Sequence, residues 1–145
     1  MAHLLAVVQY LQTHLLSVFL ALIVTYVIGF IWHGPLFGKE WMRLNKITPP
    51  KKSEMKMSMM YPGLTANLVL VIAESAVLGR ALQILSLSSI FDALIIATII
   101  WLPFTALTLL NINSWAGKPL KVTILDAAHA IVSLWAVAAV LYWTL

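Results

Sequence analysis

The stretch Leu15–Trp32, LLSVFLALIVTYVIGFIW, decides the fold, because it contains no charged residue over a length that can cross a bilayer. An α-helix rises 1.5 Å per residue, so crossing about 30 Å of hydrocarbon takes roughly 20 residues. His33-Gly34-Pro35 follows directly and is typical of a helix end. The sequence therefore predicts a first transmembrane helix over about 15–32.

Three more apolar stretches follow, and they predict helices over about 60–78, 90–110 and 122–143. The serine-rich stretch 86–89 is suited to capping the third helix, and Pro103 should kink it. Lipid leaves only helices or closed barrels, and the alternation of apolar and polar residues that a barrel strand needs is absent. We expect an all-α integral membrane four-helix bundle, formed by residues 1–145 as a single domain.

Composition supports a membrane protein. Apolar residues make up 62% of the chain and charged residues 10%, against about 45–50% and about 25% in ordinary soluble domains. The net charge of +4 could suggest nucleic acid as a partner, but the basic residues lie in short stretches between apolar runs, so we expect no such partner. The chain contains no cysteine, which excludes disulfides, iron–sulfur clusters and thiolate chemistry.

The basic residues predict the orientation in the membrane. The predicted loop 38–58 carries Lys39, Arg43, Lys46, Lys51, Lys52 and Lys56. The third loop carries Lys118 and Lys121, whereas the second loop carries only Arg80. Loops rich in Lys and Arg stay in the cytoplasm. We therefore expect both termini outside (N-out/C-out), in a multi-pass protein of the cytoplasmic membrane, or inner membrane if the chain is bacterial.

Two motifs carry a family resemblance. The first is GFIWHGPLFGKEWM over 29–42, and the second is PLKVTILDAAH over 119–129. In order and spacing they resemble a small membrane family catalogued as domain of unknown function 1761, over nearly the whole chain. His33 departs from the aromatic residue expected there, and Ala128 stands where glycine is common. The resemblance implies four helices and a cytoplasmic motif, but it implies no reaction.

The first motif has a mechanical interpretation. Its family positions are Trp32, Gly34, Pro35, Leu36, Phe37, Gly38 and Trp41. Gly34 and Pro35 would end the first helix, while Trp32, Phe37 and Trp41 would anchor the chain at the membrane interface. A lid over a nearby binding pocket is the alternative.

Polar residues converge near the cytoplasmic ends of the predicted helices. Asp126 lies about one turn into the fourth helix, and His129 follows on the same face. Asn111, His33 and Asn67 are expected at comparable depths. An acid near a helix centre costs on the order of 2.5–3.5 kcal/mol, so such residues face the bundle interior. We predict a cytoplasm-facing pocket for a small ligand, a cation or a proton.

For each of the two acids, Asp126 and Glu74, an alternative interpretation stays open. The alternative for Asp126 is a structural role, in which it pairs with Lys118, Lys121 or His33. Glu74 lies deeper in the second helix, on the same face as Asn67. It could join His14 and Asp92 in a metal site, but a neutral Glu74 or a Glu74–Arg80 pair explains it better. We therefore predict no metal site and no cofactor.

Three functions remain. The chain lacks a nucleophile elbow, a phosphate loop, an HExxH pair and a dinucleotide fingerprint, which disfavours an enzyme of a familiar class. Transport of an ion or small solute by a homo-oligomer ranks level with an accessory or assembly role in a larger membrane complex. A membrane enzyme that acts on a lipid or quinone through His129 and Asp126 ranks third. We favour transport among these hypotheses, and the first partner we expect is the lipid bilayer.

Overall fold

The computed structural model describes residues 2–48, 60–87 and 89–145, and side chains from Leu5 onward. The described chain is helical and contains no strand. Its helices are α1 (Ala2–Thr13), α2 (Leu15–Ile31), α3 (Gly38–Leu44), α4 (Tyr61–Leu85), α5 (Ile90–Trp101), α6 (Leu107–Trp115) and α7 (Leu120–Thr144).

Four membrane-length helices form the body of the protein, which confirms the predicted all-α fold. Among the described residues, the helices Leu15–Leu36, Tyr61–Leu85, Ile90–Trp115 and Leu120–Thr144 are long and apolar enough to cross a membrane. The second and third extend well beyond the predicted ends at residues 78 and 110. Hydropathy reports only the part of a helix that lipid would cover, whereas backbone hydrogen bonding continues past that part.

A proline interrupts the first and third spans in the same way. Pro35 lies in a π turn over Trp32–Leu36, and Pro103 lies in a π turn over Leu102–Ala106. Proline cannot donate the ordinary helical hydrogen bond, and its ring crowds the preceding turn. A wider turn relieves that crowding, so the break predicted at Pro103 takes the form of a π turn.

The predicted loop 38–58 is partly helical, which corrects the sequence interpretation. α3 occupies Gly38–Leu44 immediately after the first π turn. A seven-residue helix is too short to be recognised from apolar periodicity alone. Residues 49–59 lie outside the described chain. At the start of α5, Ser89 accepts a hydrogen bond from the Asp92 backbone, as the predicted capping requires, while Ser88 lies outside the described residues.

The helix α7 is central and contacts α2, α4 and α5. Small and large residues share these contacts: Ala21, Ala93, Ala97 and Ala138 are fully buried, and so are Val71, Leu78, Val137 and Leu141. Small side chains let apolar helices approach closely. Large side chains such as Phe30, Phe91 and Phe104 point outward, as a lipid-facing surface requires. We call the end of the bundle with α3 and the start of α7 the basic end. We call the opposite end, with α1 and Thr144, the terminal end.

Candidate functional site

The carboxylate of Asp126 binds a tryptophan at the basic end. Trp41 Nε1 donates to Asp126 Oδ1 at 2.8 Å. The short helix α3 makes this possible, because it folds back from the first π turn and contacts α7. Sequence analysis treated Trp41 as an interface anchor and missed this hydrogen bond. The available signal for this hydrogen bond was that Trp41 and Asp126 were both expected at the cytoplasmic side of the membrane.

A neighbouring ion pair holds α3 on α7. Lys121 Nζ lies 2.7 Å from Glu40 Oε1, and Arg43 donates to both Glu40 oxygens. These hydrogen bonds from Arg43 and Lys121 lower the pKa of Glu40 to about 2. Lys121 therefore pairs with Glu40 and not with Asp126, unlike in the structural alternative considered above.

His33 and His129 come together through the first π turn. Their ring centroids lie 4.7 Å apart with the rings edge to face. His33 also lies edge to face with Trp41, with 5.7 Å between the ring centroids, and the ring centroid of Trp32 lies 5.8 Å from that of His129. His33 is exposed, whereas His129 is half-buried. The pair thus links the surface of the basic end to the interior of the bundle.

A cavity of about 110 Å³, which we call the polar cavity after its polar side chains, lies between the spans and is lined by His129 of this pair, although most of its surface is apolar. Its polar lining consists of Thr25, Asn67, Glu74, Thr105, His129 and Ser133, so that all four membrane-length helices contribute. Its apolar lining consists of Leu70, Val71, Trp101, Ala130 and Leu134. His129 Nε2 lies 3.4 Å from Ser133 Oγ. The cavity has room for several waters or one small solute.

Glu74 has no cation beside it in the part of the chain that the structure describes. Among the described residues, the ion pairs involve Glu40 with Arg43 and Lys121, and Glu74 forms no hydrogen bond. Its side chain also lines a second, mostly apolar cavity of about 200 Å³ between α4 and the third span. Glu74 therefore faces open space on two sides and can meet a ligand there.

The outer site of His14, Glu74 and Asp92, which was the less favoured interpretation of the sequence, is not assembled. His14 stacks on Tyr10, and Asp92 accepts a hydrogen bond from Ser89 Oγ. The described part of the chain contains no group of three His, Cys, Asp or Glu residues that could hold a metal ion. Glu74 instead lies in one cavity with His129.

Asn111 lies apart from the other predicted site residues. Its side chain is exposed and does not line the polar cavity, whereas Thr105 and Trp101 represent the third span there. Asn111 lies six residues beyond Thr105, which is roughly 9 Å further along the helix and roughly 120° around it, so the two side chains face different directions. Sequence analysis missed Trp101, whose Nε1 donates to the Ala127 carbonyl at 3.1 Å.

The first motif forms a compact corner. Trp32 packs against Phe37 at 4.6 Å between ring centroids. Gly38 is buried, and a Cβ at this position would collide with the His33 carbonyl. Gly34 has open space around it, and Pro35 and Leu36 are exposed. Gly38 is thus the glycine that the change of direction into α3 requires.

The fold and the site together define a small helical protein with four membrane-length helices around a polar cavity that holds an acid and a histidine. The chain belongs to the family described as Protein of unknown function (DUF1761), whose model matches residues 16–142. This match confirms the resemblance and includes both motifs. No curated protein and no solved structure matches the chain.

Proposed function

We propose that the protein transports protons, or another small cation, across the membrane through the polar cavity. One observation carries the proposal: Glu74 and His129 line the same cavity between membrane-length helices. A carboxylic acid and an imidazole can each bind and release a proton, and hydroxyl and amide oxygens around them suit a small cation or a chain of waters.

The cost of an acid in lipid supports this proposal. A charged carboxylate near a helix centre costs on the order of 2.5–3.5 kcal/mol on insertion scales. Such residues typically mark ion or proton pathways. Glu74 has no described cation partner that would give it a structural role instead. In this proposal the transported cation pairs with Glu74.

The basic end provides the entrance in this proposal. His33 is exposed and lies 4.7 Å from His129 between ring centroids, so the two imidazoles can pass a proton inward. Asp126, held by Trp41, adds a negative charge beside them. By the positive-inside rule we expect the basic end to face the cytoplasm, so in this proposal the cation enters past His33 and His129 from that side.

Flux through proteoliposomes tests the proposal. Purified protein is reconstituted with a trapped pH-sensitive dye, and a potassium gradient with valinomycin drives proton entry. Wild-type protein should acidify the interior, while Glu74→Gln and His129→Ala should fall to the rate of empty liposomes. Asp126→Asn should also lose flux, because it removes the charge at the entrance.

A matched acid gives the control. Asp92 lies at the terminal end, where its side chain accepts a hydrogen bond from Ser89, and it does not line the cavity. Asp92→Asn should keep the wild-type rate. Wild-type flux no greater than that of empty liposomes for protons, sodium, potassium and guanidinium would overturn the proposal. Equal flux in wild type and Glu74→Gln would overturn it as well.

A further inference from the structure

Arg80 stands apart from the other basic residues. It is the only Lys or Arg outside the two basic loops. Within the described chain, no carboxylate lies at ion-pair distance from it. Arg80 Nη1 donates to Gln83 Oε1 at 3.0 Å. A guanidinium carries five N–H donors in a planar fork, so most of them are left for a ligand.

A groove of about 340 Å³ lies beside Arg80, between α1 and α4. Its lining consists of Ala6, Gln9, Tyr10, Thr13, His14, Arg80 and Gln83. Among the described side chains, no acid lines the groove, whereas one arginine, one histidine and two glutamines do. This set of donors favours an anion, and the absence of carboxylates removes the repulsion that an anion would otherwise meet.

A chain of contacts orients the guanidinium over the groove. His14 Nδ1 lies 2.9 Å from the Tyr10 carbonyl, which makes Nδ1 the donor. His14 Nε2 then accepts from the Gln83 amide, 3.4 Å away. The Gln83 oxygen in turn accepts from Arg80. With Gln83 held on both sides, Arg80 is positioned without any charge being neutralised.

A close contact between two helices places α1 beside Arg80. Tyr10 is 3% exposed, and a Cβ at Gly79 would collide with its hydroxyl oxygen. Gly79 therefore lets α1 lie flush on α4, one residue before Arg80. The groove is built by this contact and does not depend on a single flexible side chain.

The groove lies about one hydrocarbon thickness from the start of α4, so we expect it at the depth of lipid headgroups. Counting 1.5 Å per residue from Tyr61, Arg80 lies roughly 28 Å along α4, which is close to the thickness of the hydrocarbon layer. Leu5, Val8, Leu15 and Leu16 are exposed on the neighbouring helices. Acyl chains can cover these apolar side chains while the headgroup enters the polar groove.

We propose that this groove binds the phosphate of one anionic phospholipid in the leaflet at the terminal end, with Arg80 as the main contact. The apolar surroundings favour a lipid over free phosphate, because free phosphate would leave those side chains uncovered. The site is separate from the polar cavity and does not depend on transport.

Native mass spectrometry tests the proposal on the full chain in mild detergent. The protein is titrated with phosphatidylglycerol, with diacylglycerol (which lacks the phosphate) and with inorganic phosphate. Wild type should retain one phosphatidylglycerol and no diacylglycerol. Arg80→Gln should need on the order of tenfold more lipid for the same occupancy, because it loses a charge-assisted hydrogen-bonding group.

The control is Lys118→Gln, which removes an exposed cation at the opposite end and should bind like wild type. Arg80→Lys, which keeps the charge but loses the fork, should fall between wild type and Arg80→Gln. Equal lipid retention in wild type and Arg80→Gln would overturn the proposal. Arg80-dependent binding of inorganic phosphate without retained phosphatidylglycerol would overturn the lipid assignment.

Discussion

At the scale of single residues, Asp126 has an unusual partner. Its carboxylate accepts from the indole N–H of Trp41, a donor that carries no charge. Lys121, five residues before Asp126, pairs with Glu40 instead. The negative charge of Asp126 is thus fixed in place without a described cation to neutralise it. That is the state in which a carboxylate can still attract a cation to the basic end.

Removing the indole donor should destabilise the protein. Trp41→Phe keeps an aromatic ring on α3 but leaves Asp126 without this hydrogen bond. A hydrogen bond to a charged group contributes about 1.5–3 kcal/mol, so the free energy of unfolding should fall by that amount. Unfolding in mixed detergent micelles, followed by circular dichroism, measures the change.

Trp135→Phe is the matched control for this prediction. Trp135 Nε1 donates to the neutral hydroxyl of Thr98 at 2.9 Å. Its loss should cost only about 0.5–1.5 kcal/mol. A Trp41→Phe variant as stable as Trp135→Phe would mean that the contact with Asp126 contributes little.

Sequence reasoning found the acids and histidines of the candidate site but not their neighbours. Asp126, His129, Asn67 and Glu74 stand out because polar groups inside apolar helices are costly wherever they occur. The contact between Trp41 and Asp126 joins residues 85 positions apart and depends on α3, which the sequence does not predict. A local rule identifies a costly residue, whereas only the fold identifies its partner.

At the scale of elements, the first π turn determines the site. It brings His33 against His129 and directs the chain into α3, which carries Trp41. Pro35 removes the ordinary backbone bond, and the Phe37 amide donates to the Trp32 carbonyl at 2.9 Å. Gly38 then begins α3 in close contact with the His33 carbonyl.

Two glycines of this motif should respond oppositely to alanine. In Gly38→Ala the new methyl group meets a backbone carbonyl, which cannot rotate away as a side chain could. We expect a loss of about 1–3 kcal/mol in the free energy of unfolding, as in other overpacked sites. In Gly34→Ala the methyl group enters open space, and alanine favours a helix by up to about 1 kcal/mol.

Detergent unfolding of the two variants side by side measures the difference, with wild type as reference. Gly34→Ala should be at least as stable as wild type and Gly38→Ala clearly less stable. Equal stability of the two variants would contradict the tight corner between the π turn and α3.

The elements themselves were predictable in kind but not in extent. Long uncharged runs specify membrane-length helices because lipid offers the backbone no other partner. The end of α4 at Leu85 was not predictable, since Arg80 and Gln83 suggest the end of the lipid-covered part and not the end of the helix. Both π turns follow from proline, but sequence alone does not distinguish a π turn from a simple kink.

At the scale of the whole molecule, charge separates the two ends. Lys39, Arg43, Lys118 and Lys121 lie at the basic end, whereas Arg80 lies alone near the terminal end. The polar cavity and the groove beside Arg80 are divided in the same way, since His33 and His129 lie towards the basic end and the groove lies between α1 and α4 at the other. The sidedness of both proposed sites therefore depends on which end faces the cytoplasm.

Cysteine labelling on intact cells measures that sidedness, and the absence of native cysteine makes single substitutions unambiguous. Thr144→Cys places a thiol at an exposed position at the end of α7. Lys118→Cys places one at an exposed position just before α7 begins. Because basic loops stay in the cytoplasm, a membrane-impermeant maleimide should label Thr144→Cys on intact cells and Lys118→Cys only after permeabilisation. The reverse pattern would place the proposed entrance at His33 outside the cell and the groove beside Arg80 in the cytoplasmic leaflet. In that case the proposed transport would take up its cation from the opposite side, although the cavity that Glu74 and His129 line would be unchanged.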